Sequence, residues 1–216
     1  PEDFYAWTRL PGETYYGAGL EHHGSVNLMK AGIVNADAVT TVSPRYAWEI
    51  TTPEGGEGLD GVLRAQQWKL RGILNGLDTE YWNPATDPYL AHPYDASDLS
   101  GKARNRALLL SELGLEDRPT LGVVSRFAHQ KGMDLIADAV DGLMGLGVNL
   151  VVLGSGDPNL ERTFAWMAAH LKGRLAYTQG YNEPLAHRIY PGSDGFLMPS
   201  RFEPCGLAQL FAMLYG

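Results

Sequence analysis

Thr120-Leu121-Gly122-Val123-Val124-Ser125-Arg126-Phe127-Ala128-His129-Gln130-Lys131-Gly132 is the stretch whose pattern decides the fold. Thr120 to Ser125 is an apolar run of strand length, and a helical pattern begins at Gly132. From there to Gly145, Ile136, Ala139, Val140 and Leu143 recur on one stripe at helical spacing. The same phrase then repeats. Asn149 to Leu153 is a second all-apolar strand, and Leu160, Phe164, Met167, Ala168 and Leu171 mark a second amphipathic helix. Leu175 to Thr178 is a weaker strand, and Pro184 to Tyr190 is a short helix with Pro in its first turn. Gly195 to Met198 is another strand, and Gly206 to Leu214 is a final helix behind Pro204. Strands that are apolar throughout, alternating with helices, predict an α/β fold with a parallel sheet covered on both faces. In such sheets ligands bind beyond the carboxyl ends of the strands.

Upstream the pattern is less regular. Residues 1–69 are helical in pattern with loop insertions. Val39 to Ser43 reads as a short buried strand closed by Pro44, and Gly72-Ile73-Leu74-Asn75-Gly76 reads as a strand running into a tight Asn-Gly turn. Residues 83–101, rich in Pro, Asp, Tyr and Ser, read as a connecting segment. A helix is expected from Lys102 to Leu113, stopped by Gly114.

Composition narrows the class. Of 216 residues 44% are hydrophobic and 19% charged, as in an ordinary globular chain. A net charge of −8 without any basic run argues against nucleic acid as a partner. No apolar stretch reaches membrane-spanning length, which argues against a membrane partner as well. Cys205 is the single cysteine, so no intrachain disulfide can form and a reducing compartment is expected: the bacterial cytoplasm, or a plastid if the chain is from a plant. The chain opens on Pro1 and closes on Gly216 directly after an apolar run, which reads as a fold truncated at both ends.

Two strand ends carry chemistry. Arg126 and Lys131, five positions apart between a strand and a helix start, suit a diphosphate, because Arg contacts two oxygens at once and helix N-termini favour anions. Two solvated surface charges fit the same spacing equally well. Glu203, at the mouth of the last helix, fits a carboxylate facing a developing positive charge on a sugar ring; for an isolated Glu, interaction with the helix dipole is the plainer reading. Behind it the amides near Gly206 and Leu207 would be free to hold phosphate, and Cys205 reads as a small packing residue. Gly154-Ser155-Gly156-Asp157 is a glycine turn without the full dinucleotide fingerprint, which counts against a Rossmann dehydrogenase. Tyr181 could stack on a base. His22, His23, His129, His170 and His187 lack metal-ligand spacing.

Taken together, Lys30-Ala31-Gly32-Ile33, residues 40–46, residues 72–76, Ser125-Arg126 with Gln130-Lys131-Gly132, and Pro199 through Leu207 resemble the bacterial glycogen synthase and plant starch synthase family. The resemblance implies a GT-B architecture, with residues 1–70 ending the acceptor-side domain and residues 71–216 beginning the nucleotide-sugar domain. It implies transfer of glucose from ADP-glucose to the end of an α-1,4-glucan with retention, without cofactor or catalytic metal. Arg126 and Lys131 match the family's diphosphate pair and Glu203 its active-site glutamate. Tyr181 lies where the base is contacted, and Asn75 at the hinge near the donor. Phe211 stands where many related transferases carry a second Glu. The family's Lys-Gly-Gly loop and first-domain His would precede Pro1 and its Thr-Gly-Gly loop would follow Gly216, so the 216-residue chain alone is expected to be inactive. Oligomeric state is left open. A same-fold transferase using UDP-glucose or another acceptor, and a non-catalytic nucleotide-sugar or glucan-binding module, are the alternatives.

Overall fold

The computed structural model describes residues 2–216, and of Glu2, Asp3 and Trp7 the backbone only. The chain divides into two compact units, residues 1–75 and 76–216.

The first unit carries helices α1 (Glu2–Thr8) and α2 (Thr14–Gly17), then a hairpin of strands β1 (Glu21–His22) and β2 (Ser25–Val26). Helix α3 (Leu28–Asn35) begins at Asn27, whose side chain accepts from the Lys30 amide. Strand β3 (Val39–Thr41) is followed by helix α4 (Pro44–Glu49), where Ser43 is the N-cap and Pro44 fills the first turn. Helix α5 (Asp60–Ala65) leads to strand β4 (Leu70–Gly72), which pairs in parallel with β3. Three details depart from the sequence expectation. The hairpin was not foreseen, since two-residue strands are too short to show alternation. The second strand ends at Gly72 instead of starting there, because its pairing register runs Val39↔Leu70 to Thr41↔Gly72. With one neighbour, β3 is half-exposed instead of buried.

The second unit opens with helix α6 (Ser100–Leu113), which ends on Gly114 in the left-handed conformation. Strand β5 (Thr120–Val124), helix α7 (Met133–Gly145), strand β6 (Asn149–Gly154), helix α8 (Pro158–His170), strand β7 (Leu175–Gln179), helix α9 (Glu183–Gly192), strand β8 (Gly195–Phe196) and helix α10 (Leu207–Leu214) follow. The four strands form one parallel sheet in the order β7-β6-β5-β8. Strand β6 is buried along its whole length, and its alternate side chains feed two cores. Leu150 and Val152 pack with Val123, Met133, Ile136, Val140, Phe164 and Leu175 on the α7–α8 side. Val151 and Leu153 pack with Leu109, Leu185 and Ile189 on the α6–α9 side. This is the two-faced burial that unbroken apolar strands require.

Residues 76–99 lack regular structure but are firmly tethered. Trp82 is stacked between His187 (3.8 Å between ring centroids) and Phe211 (3.9 Å). Asp87 accepts from Tyr215 Oη and lies 2.7 Å from His187 Nδ1, with all three side chains buried. His187 is thus a structural histidine. Phe211 belongs to the aromatic cluster around Tyr190 and Tyr215, where a carboxylate would be stranded among rings.

Candidate functional site

The strand order sets the site. From β5 the chain moves outward to β6 and β7, then α9 carries it back to β8 on the other side of β5. The loops after β5 and β8 therefore leave the sheet side by side, at the reversal point where open α/β sheets bind ligands. The first loop carries Arg126 and a single 3-10 turn, His129–Lys131. The second carries Glu203.

Lys131 Nζ donates to both carboxylate oxygens of Glu203, at 2.8 and 3.0 Å, across 72 residues of sequence. The two side chains are 19% and 21% exposed, so the pair is sheltered yet reachable. Ser200 Oγ also donates to Glu203 Oε2 at 3.0 Å. Glu203 does not cap α10, whose N-cap is Gly206 in the left-handed conformation with no side-chain cap. The helix-dipole reading of Glu203 thus gives way to a specific pairing with the cation on the facing loop. The first amides of α10, after Gly206 and from Leu207 onward, are left without a side-chain acceptor. Cys205 is a half-buried free thiol in the same loop.

Arg126 is exposed and lines two adjoining cavities. One, of about 170 Å³, is also lined by Lys131, Pro199 and Ala208. The other, of about 220 Å³, is lined by Gly154, Ser155, Gly180, Tyr181 and Asn182, the ends of β6 and β7. Tyr181 is 87% exposed at that cavity's edge, with an open ring face. Asn75 is exposed, ends the first unit and lines neither cavity. Among the described residues no three His, Cys, Asp or Glu side chains cluster as metal ligands.

Several residues that sequence reasoning did not single out tie the two loops together. Arg201 forms a fork on Asp134, Nη1 to Oδ1 at 2.8 Å and Nη2 to Oδ2 at 2.6 Å, and Nη1 also donates to the His129 carbonyl. The Arg201 guanidinium, helped by the amides of Asp134 and Leu135 in the first turn of α7, holds the Asp134 carboxyl down at about 2. The Arg201 amide donates to the Gln130 carbonyl, and Gln130 Nε2 donates to the Phe202 carbonyl. Gly132, at φ 66°, lies against the Pro199 carbonyl so closely that no Cβ fits. Asp134 lies two residues past Gly132 and carried no sequence signal; for the others the signal was their position inside the two stretches already quoted.

Two family models match the chain: "Starch synthase catalytic domain" over residues 1–65 and "Glycosyl transferases group 1" over residues 118–216. Glycogen synthase 1 of Methylococcus capsulatus is 51% identical, with 100% of this chain and 44% of that protein covered. The glycogen synthase of Deinococcus radiodurans is 54% identical, at 97% and 46% coverage. The chain belongs to the glycogen and starch synthase family. The solved catalytic domain of starch synthase IV from Arabidopsis thaliana, bound to ADP and acarbose, superposes on this chain with a TM-score of 0.86 at 43% identity, covering 91% of this chain and 41% of that one. Sucrose-phosphate synthase from Thermosynechococcus elongatus, at 20% identity and a TM-score of 0.58, shares the fold alone. The fold class is that of GT-B glycosyltransferases. The chain spans about half the length of the curated relatives it matches.

Proposed function

We propose that this chain supplies the donor-side machinery of a glycogen or starch synthase, which moves glucose from ADP-glucose to the non-reducing end of an α-1,4-glucan with retention of configuration, in the bacterial cytoplasm or a plastid. The observation that carries the proposal is the meeting of Lys131 and Glu203 beside a cavity that Arg126 also lines, at the reversal point of a parallel sheet. The base of the donor would lie in the cavity edged by Tyr181, against its open ring face. The diphosphate would lie in the adjoining cavity, between Arg126, Lys131 and the free amides beyond Gly206. Kinship with a starch synthase solved with ADP supports adenine over uracil.

The chemistry follows from charge. As the bond from the anomeric carbon to the diphosphate breaks, negative charge grows on the leaving oxygens and positive charge on the sugar ring. Arg126 and Lys131 are placed to oppose the first, and Glu203 the second. Fixed charges of this kind bind the transition state better than the ground state. Glu203 holds the Lys131 ammonium where a phosphate oxygen can join it. No metal and no cofactor enters this scheme.

The test is Lys131→Gln in a chain of the full length of its relatives, with glucose incorporation measured at saturating donor. Turnover is expected to fall on the order of 10²–10³-fold, and an unchanged turnover number removes Lys131 from the reaction. Glu203→Ala is expected to do the same; wild-type rates would reduce it to a structural partner of Lys131. Competition between ADP-glucose and UDP-glucose in the same assay decides the base.

A further inference from the structure

Glu203 sits on a loop that nothing regular supports. After Phe196 the backbone runs without helix or strand to Leu207, so the position of its carboxylate depends on what holds the loop. Two kinds of restraint are present. The backbone of Pro199 and Arg201 rests on Gly132 and Gln130 of the facing loop. The second is made by side chains, Gln130 on the Phe202 carbonyl and, with more contacts, Arg201. Its guanidinium spans the gap to Asp134, in the first turn of α7, and to the His129 carbonyl, in the turn that ends with Lys131. Arg201 is thus two residues from Glu203 on one side and grips both flanks of Lys131 on the other.

We propose that Arg201, through its fork on Asp134, is a positioning residue that sets the distance and angle of the Lys131–Glu203 pair for glucosyl transfer, a reading that rests on the function proposed above. The physical case is geometric. A planar guanidinium bound at two parallel N–H···O contacts restrains rotation as well as distance, whereas an ammonium restrains distance alone. Displacement of a reacting group by roughly 1 Å costs on the order of 10²-fold in rate. The Arg201 and Asp134 side chains are 29% and 40% exposed, and ion pairs this open contribute little to global stability. Positioning and stability therefore separate experimentally.

The experiment uses the full-length enzyme and four variants: Arg201→Met, Arg201→Lys, Asp134→Asn and the double variant Arg201→Met/Asp134→Asn. Turnover, donor KM, ADP affinity by calorimetry and thermal midpoint are measured for each. Arg201→Met is expected to lower turnover on the order of 10²-fold. Its ADP affinity and donor KM stay within about threefold, because Lys131 is still held by the backbone of its own 3-10 turn and Arg126 by the end of β5, so the loss falls on the placement of Glu203. Arg201→Lys recovers part of the loss, since the charge remains while the fork is gone. Asp134→Asn falls in the same direction, and the double variant is no worse than Arg201→Met, because both changes break one interaction. Thermal midpoints stay near the parent's. Turnover of Arg201→Met within about threefold of the parent overturns the inference, as does a loss that disappears when rates are normalised to folded enzyme. Additive losses in the double variant overturn it too. Lys131→Gln run alongside separates the two ideas: if it loses turnover while Arg201→Met does not, only the positioning role fails, whereas full turnover in both removes the functional reading itself.

Discussion

Substituting Gly132 by Ala tests the link between backbone geometry and chemistry with the smallest possible change. Gly132 joins the 3-10 turn ending at Lys131 to the first residue of α7, at φ 66° and ψ 27°. An L-residue held there costs about 1–2 kcal/mol in backbone strain alone. The added Cβ would also fall well inside the contact radius of the Pro199 carbonyl oxygen, and that neighbour is backbone, so no side chain can swing away. The loop bearing Ser200, Arg201 and Glu203 must therefore retreat by roughly 1 Å, a misplacement that costs on the order of 10²-fold in rate. The expected phenotype of Gly132→Ala is a stability loss of about 2–3 kcal/mol, once repacking is added to the strain. Turnover should fall further than the fraction folded explains. Urea unfolding gives the first and initial rates of glucose incorporation at saturating donor give the second. Gly142→Ala is the control. It lies exposed inside α7 with open space around its missing Cβ, so it should gain about 0.5–1 kcal/mol and leave the rate alone. A Gly132→Ala enzyme with the parent's turnover would refute the argument that the contact between the two loops sets the Lys131–Glu203 pair.

Three further outcomes are expected. Tyr181→Ala should leave the thermal midpoint unchanged, since the ring is open to solvent, and raise the donor KM on the order of tenfold through lost base stacking; an unchanged KM removes Tyr181 from the base site. Phe164→Ala empties the centre of the α7–α8 core, where its fully buried ring lies 5.3 Å from that of Phe127, and should cost about 3–5 kcal/mol by urea midpoint; a loss below about 1 kcal/mol would mean that face of the sheet is not packed as described. The Asp134 carboxyl, lowered by its fork to Arg201, contributes its stabilisation fully above the ordinary Asp value of about 3.9 and loses it as pH falls toward 2. A carboxyl NMR titration of Asp134 with its midpoint near 4 would show the fork to be open in solution.

The legible part of the molecule was the part written locally. An apolar run from Thr120 to Val124, or a stripe through Ile136 and Val140, announces itself within one turn of helix or one strand. That much located the elements of residues 120–214 to within a few residues and put Arg126 and Glu203 just beyond strand ends. The β1–β2 hairpin escaped because strands of two residues carry no period, although His23 and Gly24, both at positive φ, form its turn. The dense aromatic packing of Trp82, just ahead of the connecting segment, escaped because stacking partners such as His187 and Phe211 lie more than a hundred residues away.

From Thr120 onward, local pattern was enough to assign the strands and helices, to read the sheet as covered on both faces, and to stand two cations and one carboxylate beyond the ends of β5 and β8. The folded chain added that β8 returns to lie beside β5, that Lys131 and Glu203 therefore meet, and that Arg201 reaches across to Asp134. The reason is range. Periodicity and turn chemistry act between neighbours along the chain, whereas an ion pair across 72 residues exists only once the order of strands in the sheet has brought its two loops together.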